Sequence, residues 1–270
     1  MQKLRLAGAQ LSFDFSAELL YNLNMNIKEF FTDYPRVAIG FSGGVDSSYL
    51  LYAAIKCGAE AGAYFVKTDF QPEFEMTDAK RLAESLGVKL RIIEHNILEH
   101  EDVVINPIDR CYHCKQAIFG LIAERAKEDG FPLIIDGTNA SDDEGDRPGM
   151  AALKELCVRS PLRECGITKK ELRQLSKEAG LFTWDKPAYA CLATRIPVGE
   201  RIDKQKLERV EISEDALFGM GFSDLRVRLS GSSARLELPE NQQADAKRQW
   251  DSILKALDCF ESVELCERTK

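Results

Sequence analysis

The 270-residue sequence contains no apolar stretch near the roughly 20 residues that a helix needs to cross a bilayer. Its first residues, Met1-Gln-Lys-Leu-Arg-Leu, lack the long apolar region and cleavage site of a secretory leader. The expected compartment is therefore the cytoplasm, with no membrane partner. An excess of positive charge is also missing: 36 Lys and Arg stand against 44 Asp and Glu, for a net charge of −8. A protein whose main task is gripping a polyanion shows a basic field, so this balance argues against a nucleic-acid partner without excluding a local basic patch. Internal repeats and low-complexity segments are absent too. The 44% hydrophobic and 30% charged content describes a globular chain, long enough for one large domain or two modest ones. In the cytoplasm its eight cysteines are not read as a disulfide framework. Metal or redox chemistry is the reading for any that cluster.

A further absence characterises the phosphate loop. The run Arg36-Val-Ala-Ile-Gly-Phe-Ser-Gly-Gly-Val-Asp-Ser-Ser48 leads a short apolar strand into Ser42-Gly43-Gly44-Val45-Asp46-Ser47 and then an apolar-periodic helix. The Gly-Lys-Ser/Thr ending of the Walker loop, with its lysine for the outer phosphates, is missing. Gly43 and Gly44 let the backbone turn tightly and approach a ligand. The helix N-terminus offers free N–H groups and a positive dipole end to an anion, and the hydroxyls of Ser42 and Ser47 add donors. Asp46 makes no sense as an anion ligand, but beside phosphates it suits Mg²⁺, which takes one or two carboxylates plus phosphate oxygens. The alternative is a Gly-rich turn that merely links strand to helix. The pattern resembles the PP-loop, Ser-Gly-Gly-x-Asp-Ser, of the ATP pyrophosphatases. That resemblance implies a loop that holds the β and γ phosphates of ATP while the α–β bond breaks, giving an adenylated substrate and pyrophosphate.

The segments 36–41, 61–66, 88–93 and 132–136 are short and rich in Val, Ile and Phe. Helical stretches over 46–57, 73–86 and 111–129 separate them, and Leu19, Leu20, Leu23, Ile27, Phe30 and Phe31 mark an amphipathic helix within 17–33. Alternating strands and helices predict βαβ units and a parallel sheet, an α/β fold that binds ligands beyond the carboxyl ends of its strands. A further helix is expected over 169–180. The Pro- and Gly-punctuated stretch 184–202 then gives way to a helix over 204–219, a hairpin of 225–229 and 234–238, a helix over 241–257 and a strand over 262–266. This is a small α+β unit, read as ferredoxin-like with its first strand missing. The expected division is residues 1–200 and 201–270.

Cys57, Cys157, Cys165, Cys259 and Cys266 are scattered, and small buried hydrophobes suffice as their reading. Cys111-Tyr-His-Cys114 opens a helix, where the dipole favours thiolates. Alone, the pair is compatible with zinc, an iron–sulfur cluster, a redox disulfide or chance. It lacks the Trp- and Pro-flanked strand-to-helix context of a thioredoxin motif. Cys191, in a Pro-bounded loop just before Arg195, is the candidate third ligand. Three thiolates suit a 4Fe-4S cluster with one open iron, and with His113 or water they could hold Zn²⁺. His113 diverges by about 100° from its neighbours once the helix has begun, which favours the three-cysteine set.

From about Arg36 to Glu240 the chain resembles the LarE family of PP-loop sulfur transferases. The resemblance is carried by Phe41-Ser-Gly-Gly-Val-Asp-Ser47, Asp136-Gly137, Asp146-Arg147-Pro148-Gly149, Ala190-Cys191 with Arg195-Ile-Pro-Val-Gly199, Arg226-Val-Arg228 and Ala234-Arg-Leu-Glu-Leu-Pro239. It implies an adenine-nucleotide α-hydrolase type of sheet, ATP and Mg²⁺ as cofactors, and a homo-oligomer. The implied substrate is a nicotinate-derived mononucleotide, pyridinium-3,5-dicarboxylate mononucleotide, whose carboxylate is adenylated and turned into a thiocarboxylate for a nickel-pincer cofactor. One branch of the family sacrifices the sulfur of a cysteine matching Cys191. The other carries a 4Fe-4S cluster on three cysteines, and Cys111 and Cys114 point to that branch. Val198 departs from a Tyr common in the single-cysteine branch.

Arg226 and Arg228 lie two apart on a predicted strand and face one way, so an anion between them relieves their repulsion. The family-implied anion is the mononucleotide phosphate, held by arginine forks, with Arg195 as a third contact. Glu237 is expected opposite them as an ion-pair partner. Lys115 is read either as a phosphate contact or as a surface lysine, Asp142 as a metal or ATP contact or a solvated turn, and Arg147 as a loop brace or substrate contact. A tRNA thiolation enzyme of the same mechanism and a PP-loop amidotransferase are the competing readings.

Overall fold

The computed structural model describes residues 26–142 and 148–268. Of the amphipathic helix expected over 17–33, α1 (Ile27–Asp33) buries Phe30 and Phe31, and Asn26 and Glu29 form a capping box at its start. Leu19, Leu20 and Leu23 lie outside the described residues.

The next segments alternate as their apolar patterns require. Strand β1 (Arg36–Gly40) precedes α2 (Val45–Lys56), β2 (Glu60–Lys67), α3 (Glu73–Ser85) and β3 (Leu90–Glu94). After a short α4 (Glu101–Val104) come the long α5 (Arg110–Glu128) and β4 (Ile134–Ile135). The sheet order is β3-β2-β1-β4, and every neighbouring pair is parallel. Val37, Ala38 and Ile39 of β1 are all buried, as in a central strand covered on both faces. One apolar layer joins this sheet to α1 and α2, and another packs α5 residues Phe119, Ile122 and Ala126 against its opposite face.

Helices α6 (Pro148–Glu155), α7 (Pro161–Glu164) and α8 (Lys169–Glu178) follow. A short 3₁₀ turn at Leu192–Arg195 then precedes α9 (Lys204–Gly219), β5 (Arg226–Ser230) and β6 (Ser233–Leu238). The chain ends in α10 (Glu240–Arg248), α11 (Trp250–Ala256) and β7 (Val263–Glu267). The single helix expected over 241–257 is thus two, broken at Gln249.

The small sheet has the order β5-β6-β7, with β5 and β6 antiparallel but β6 and β7 parallel. This is the arrangement of a ferredoxin-like unit without its first strand: a hairpin, then a helical crossover that returns the last strand beside the second hairpin strand in the same direction. The core of this second sheet draws in Phe70, Ile97, Val103, Leu192, Ala193 and Ile196 from earlier in the chain. The segment carrying Cys191 therefore sits where the two sheets' surroundings meet. No helix among the described residues is long and apolar enough to cross a membrane.

Candidate active site

Strand β1 delivers Ser42–Ser47 at its carboxyl end, where parallel sheets place ligands. Gly43 takes φ +71°, and a Cβ there would stand 3.0 Å from the Ala79 nitrogen and 3.1 Å from the Glu75 carbonyl oxygen on α3. The loop thus needs glycine both for conformation and for close approach. Gly44 is the N-cap of α2 and no side chain caps that helix, which leaves its first-turn amides to an anion. The Ser42 and Ser47 hydroxyls lie 3.2 Å apart, and Gly44 N–H donates to Ser42 Oγ at 3.3 Å.

Asp46 projects from the first turn of α2. Lys169 Nζ donates to its Oδ2 at 2.5 Å, and Asn139 Nδ2 to its Oδ1 at 3.2 Å. Asn139 Nδ2 also reaches Asp142 Oδ2 at 2.9 Å, so Asp46, Asn139 and Asp142 form one polar network. Gly137 packs so tightly on the loop that a Cβ would stand 2.9 Å from Ser47 N. Asp136 turns away from this network, accepting from Thr138 Oγ1 at 2.5 Å and Ser160 Oγ at 2.6 Å. Sequence reasoning missed Lys169. It opens α8 behind the Thr168 cap, and only its helix-start context was visible.

Cys111 and Cys114 stand on the first turn of α5, the first exposed and the second half-buried, and Cys191 immediately precedes the 3₁₀ turn. Cys114 and Cys191 pack against the same core. Burial pushes the Cys114 thiol up to about 12, and the neighbouring Cys191 and Cys111 push the same way. Burial also raises Cys191, with the Arg110 guanidinium acting against it. The three thiols are thus neighbours. Yet among the described residues no three His, Cys, Asp or Glu side chains are arranged as a ready metal site. The donor chemistry nonetheless fits a thiolate-bound metal: two of the sulfurs are half-buried and a buried guanidinium, Arg110, lies beside them. His113 turns to Asp109, 3.6 Å away. Lys115 lays its stem along Gly149, where a Cβ would come within 3.0 Å of Cδ; Arg147 lies outside the described residues. Cys157 and Cys259 are exposed, so the reading of the scattered cysteines as buried hydrophobes fails for these two.

The structure corrects the expectation for Arg195. It is 1% exposed and grips Glu214 with two hydrogen bonds of 2.8 and 2.9 Å. Its Nη1 donates to Ala190 O and Thr194 Oγ1, so four of its five N–H donors are used within the protein and the burial of the side chain keeps it from a phosphate. Arg228 bonds Glu237 at 2.7 Å and Thr194 O at 2.7 Å, which agrees with the ion pair expected of Glu237. Arg226 shares the Arg228 face of β5 but pairs with no carboxylate among the described residues. Burial, then Arg195 and Arg228, lower its proton affinity. It lines a cavity of about 410 Å³ together with Phe74, Lys186, Tyr189, Phe218 and Leu225. A larger crevice of about 840 Å³ opens at the ends of β2 and β3, lined by Lys67, Thr68, Glu94 and His95. Neither cavity is lined by Ser42–Ser47 or by the three cysteines.

No protein-family model matches the chain. It is 39% identical over 219 residues to an uncharacterized protein of Synechocystis, covering 80% of this chain and 81% of that one. It is 30% identical over 215 residues to the pyridinium-3,5-bisthiocarboxylic acid mononucleotide synthase of Lactiplantibacillus plantarum, covering 79% of this chain and 78% of the synthase. The tRNA-specific 2-thiouridylase MnmA of Thermotoga maritima is 28% identical over 189 residues, 54% of this chain and 52% of that enzyme.

Proposed function

Because the chain belongs to the LarE family of ATP-dependent PP-loop sulfurtransferases, we propose that it adenylates a carboxylate of pyridinium-3,5-dicarboxylate mononucleotide and converts it to a thiocarboxylate, in nickel-pincer cofactor biosynthesis. The observation that carries this reading is the pairing of an uncapped phosphate loop bearing Asp46 with a separate set of three neighbouring thiols. Amidation chemistry needs the first and has no use for the second.

In this reading, Ser42, Gly43, Gly44 and Ser47 bind the β and γ phosphates of ATP, and Asp46 is the residue that would hold Mg²⁺. Asn139 and Lys169 fix the Asp46 carboxylate and moderate its charge. A substrate carboxylate oxygen attacks the α phosphorus, the α–β bridging P–O bond breaks, and pyrophosphate leaves into the loop. Oxide is a hopeless leaving group, whereas AMP is a good one. Sulfur then forms the C–S bond as the C–O bond to AMP breaks. Lys115 is positioned as a candidate for the phosphates beside Gly149. Arg226 takes the mononucleotide phosphate, braced by Arg228 and Glu237, while Arg195 positions the loop around Cys191 through Ala190. The division of labour follows the two sheets: residues 1–200 handle ATP and sulfur, and 201–270 supply substrate contacts. ATP and reduced thiols together fit the cytoplasm.

Cys111, Cys114 and Cys191 would hold a 4Fe-4S cluster. When bound, it supplies an anionic sulfur near neutral pH, which a free thiol raised to about 12 at Cys114 does not. The test is purification without oxygen of the wild type and Cys191→Ala. Visible absorption, iron and sulfide should be present in the wild type and lost in the variant. A colourless, zinc-containing wild type would sink the cluster assignment.

A further inference from the structure

Two guanidinium groups are buried beside the Cys191 segment, and only one has a counterion. Arg195 has Glu214. Arg110, 7% exposed and adjacent in sequence to Cys111, has none among the described residues: its hydrogen bonds go to the Asn106 side-chain oxygen and, at 3.3 Å, to Ala193 O. Both acceptors are neutral. A buried charge without an opposite charge is costly, and native structures normally pair it.

The surroundings indicate what completes the pair. Asn106 is fully buried and holds a left-handed backbone at φ 55°, a conformation that persists only when its surroundings over-determine it. Its Nδ2 donates to Ile196 O at 3.3 Å and Pro197 O at 2.7 Å, and its own carbonyl accepts from Gly199 N–H at 2.8 Å. Asn106 and Arg110 therefore fasten residues 193–199 onto the start of α5. The segment carrying Cys191 is tied in this way to the turn carrying Cys111 and Cys114. Arg110 is also the first cation acting on the Cys191 thiol, and it acts on Cys114 as well.

We propose that Arg110 is the positioning residue and counter-cation of the three-cysteine site: through Ala193 and Asn106 it holds Cys191 to the Cys111–Cys114 turn, and anionic sulfur on a bound metal balances its charge. The inference rests on the reading that these three cysteines bind metal. It predicts that position and charge are separable. Arg110→Gln removes both, Arg110→Lys keeps the charge but loses the planar fork, and Asn106→Ala loosens the clamp while keeping the arginine.

The experiment uses full-length protein purified without oxygen, with iron and sulfide content and the reduction midpoint of the visible chromophore as readouts. A nearby cation stabilises the more negative reduced form. The midpoint should therefore fall in Arg110→Gln and stay near wild type in Arg110→Lys and Asn106→Ala, which lose iron instead. An Arg110→Gln protein with wild-type iron and midpoint overturns the proposal. So does an Arg110→Gln protein that fails to fold metal-free by circular dichroism, because the arginine is then a general structural residue. If the wild type carries no cluster, metal-free protein is titrated with Co²⁺ alone and followed by its sulfur-to-cobalt absorption. Affinity should weaken roughly 10–100-fold in Arg110→Gln, and less in Arg110→Lys. That outcome would sink the cluster assignment and keep this one. Absence of Co²⁺ binding, or binding indifferent to position 110, overturns it.

Discussion

Glu75 shows how a single residue's environment becomes a pH dependence. It lies in the first turn of α3, the helix against which Gly43 is pressed. Burial pushes its carboxyl up to about 7, with Lys186, Lys67 and Arg195 acting in the opposite direction. Between the ordinary glutamate range and about 7, the folded state therefore keeps a proton that the unfolded chain has released. Stability falls as pH rises through this window and levels off above it, by an amount on the order of 3 kcal/mol. Glu75→Gln should be more stable than wild type at pH 8 by about that amount, and the gain should shrink to under about 1 kcal/mol at pH 5. Urea unfolding at the two pH values checks this; an equal gain at both would contradict it. At this scale the sequence was legible where residues are contiguous. Ser42, Gly43, Gly44, Asp46 and Ser47 announce an anion site together. The partners of Asp46 do not, because Asn139 and Lys169 lie 93 and 123 residues away. Arg195 was misplaced for a related reason: a positive charge in a loop does not reveal whether a carboxylate such as Glu214 will neutralise it.

The elements were read more fully than their partners in space. Apolar periodicity located β1, β2, β3 and β4 and most helix bounds to within a residue or two, because burial on both faces or on one stripe leaves a direct pattern. The direction of β7 leaves no such pattern of its own and follows only from the helix, hairpin, helix, strand order, which a ferredoxin-like unit without its first strand returns parallel to β6. Whether a last strand runs parallel or antiparallel is decided by the route of the crossover, here the paired α10 and α11. The junction of β1 and α2 carries the element-scale prediction. Gly43→Ala would put a Cβ at 3.0 Å from Ala79 N in a backbone with φ +71°. The strain is about 1–2 kcal/mol before the contact is counted, and relief requires the loop to lift from α3. The expected outcome is a modest loss in thermal unfolding with a much larger loss of ATP affinity by calorimetry. Unchanged ATP affinity would show that the loop's conformation does not matter for the nucleotide.

At the scale of the whole molecule, the Arg195–Glu214 pair joins the Cys191 segment to α9 and the small sheet. Glu214 also accepts from Tyr189 Oη at 2.5 Å and from Val227 N–H at 2.8 Å. Removing Arg195 alone leaves a buried carboxylate without its cation. Arg195→Met should therefore cost on the order of 3–5 kcal/mol in urea unfolding. Adding Glu214→Gln should recover part of that, since the amide oxygen can still accept from Tyr189 and Val227. Strict additivity of the two losses would show that the pair is not coupled.

On the proposed reading, one molecule uses ATP to exchange a carboxylate oxygen of a small mononucleotide for sulfur. The decisive experiment incubates anaerobically purified protein with ATP, Mg²⁺ and pyridinium-3,5-dicarboxylate mononucleotide, then follows nucleotide release and the mass of the product. The expected result is AMP and pyrophosphate in step with a mononucleotide in which sulfur has replaced one carboxylate oxygen, and no thiolated product when tRNA is the only acceptor. AMP release that requires tRNA, or an amide formed when ammonia is supplied, would contradict it.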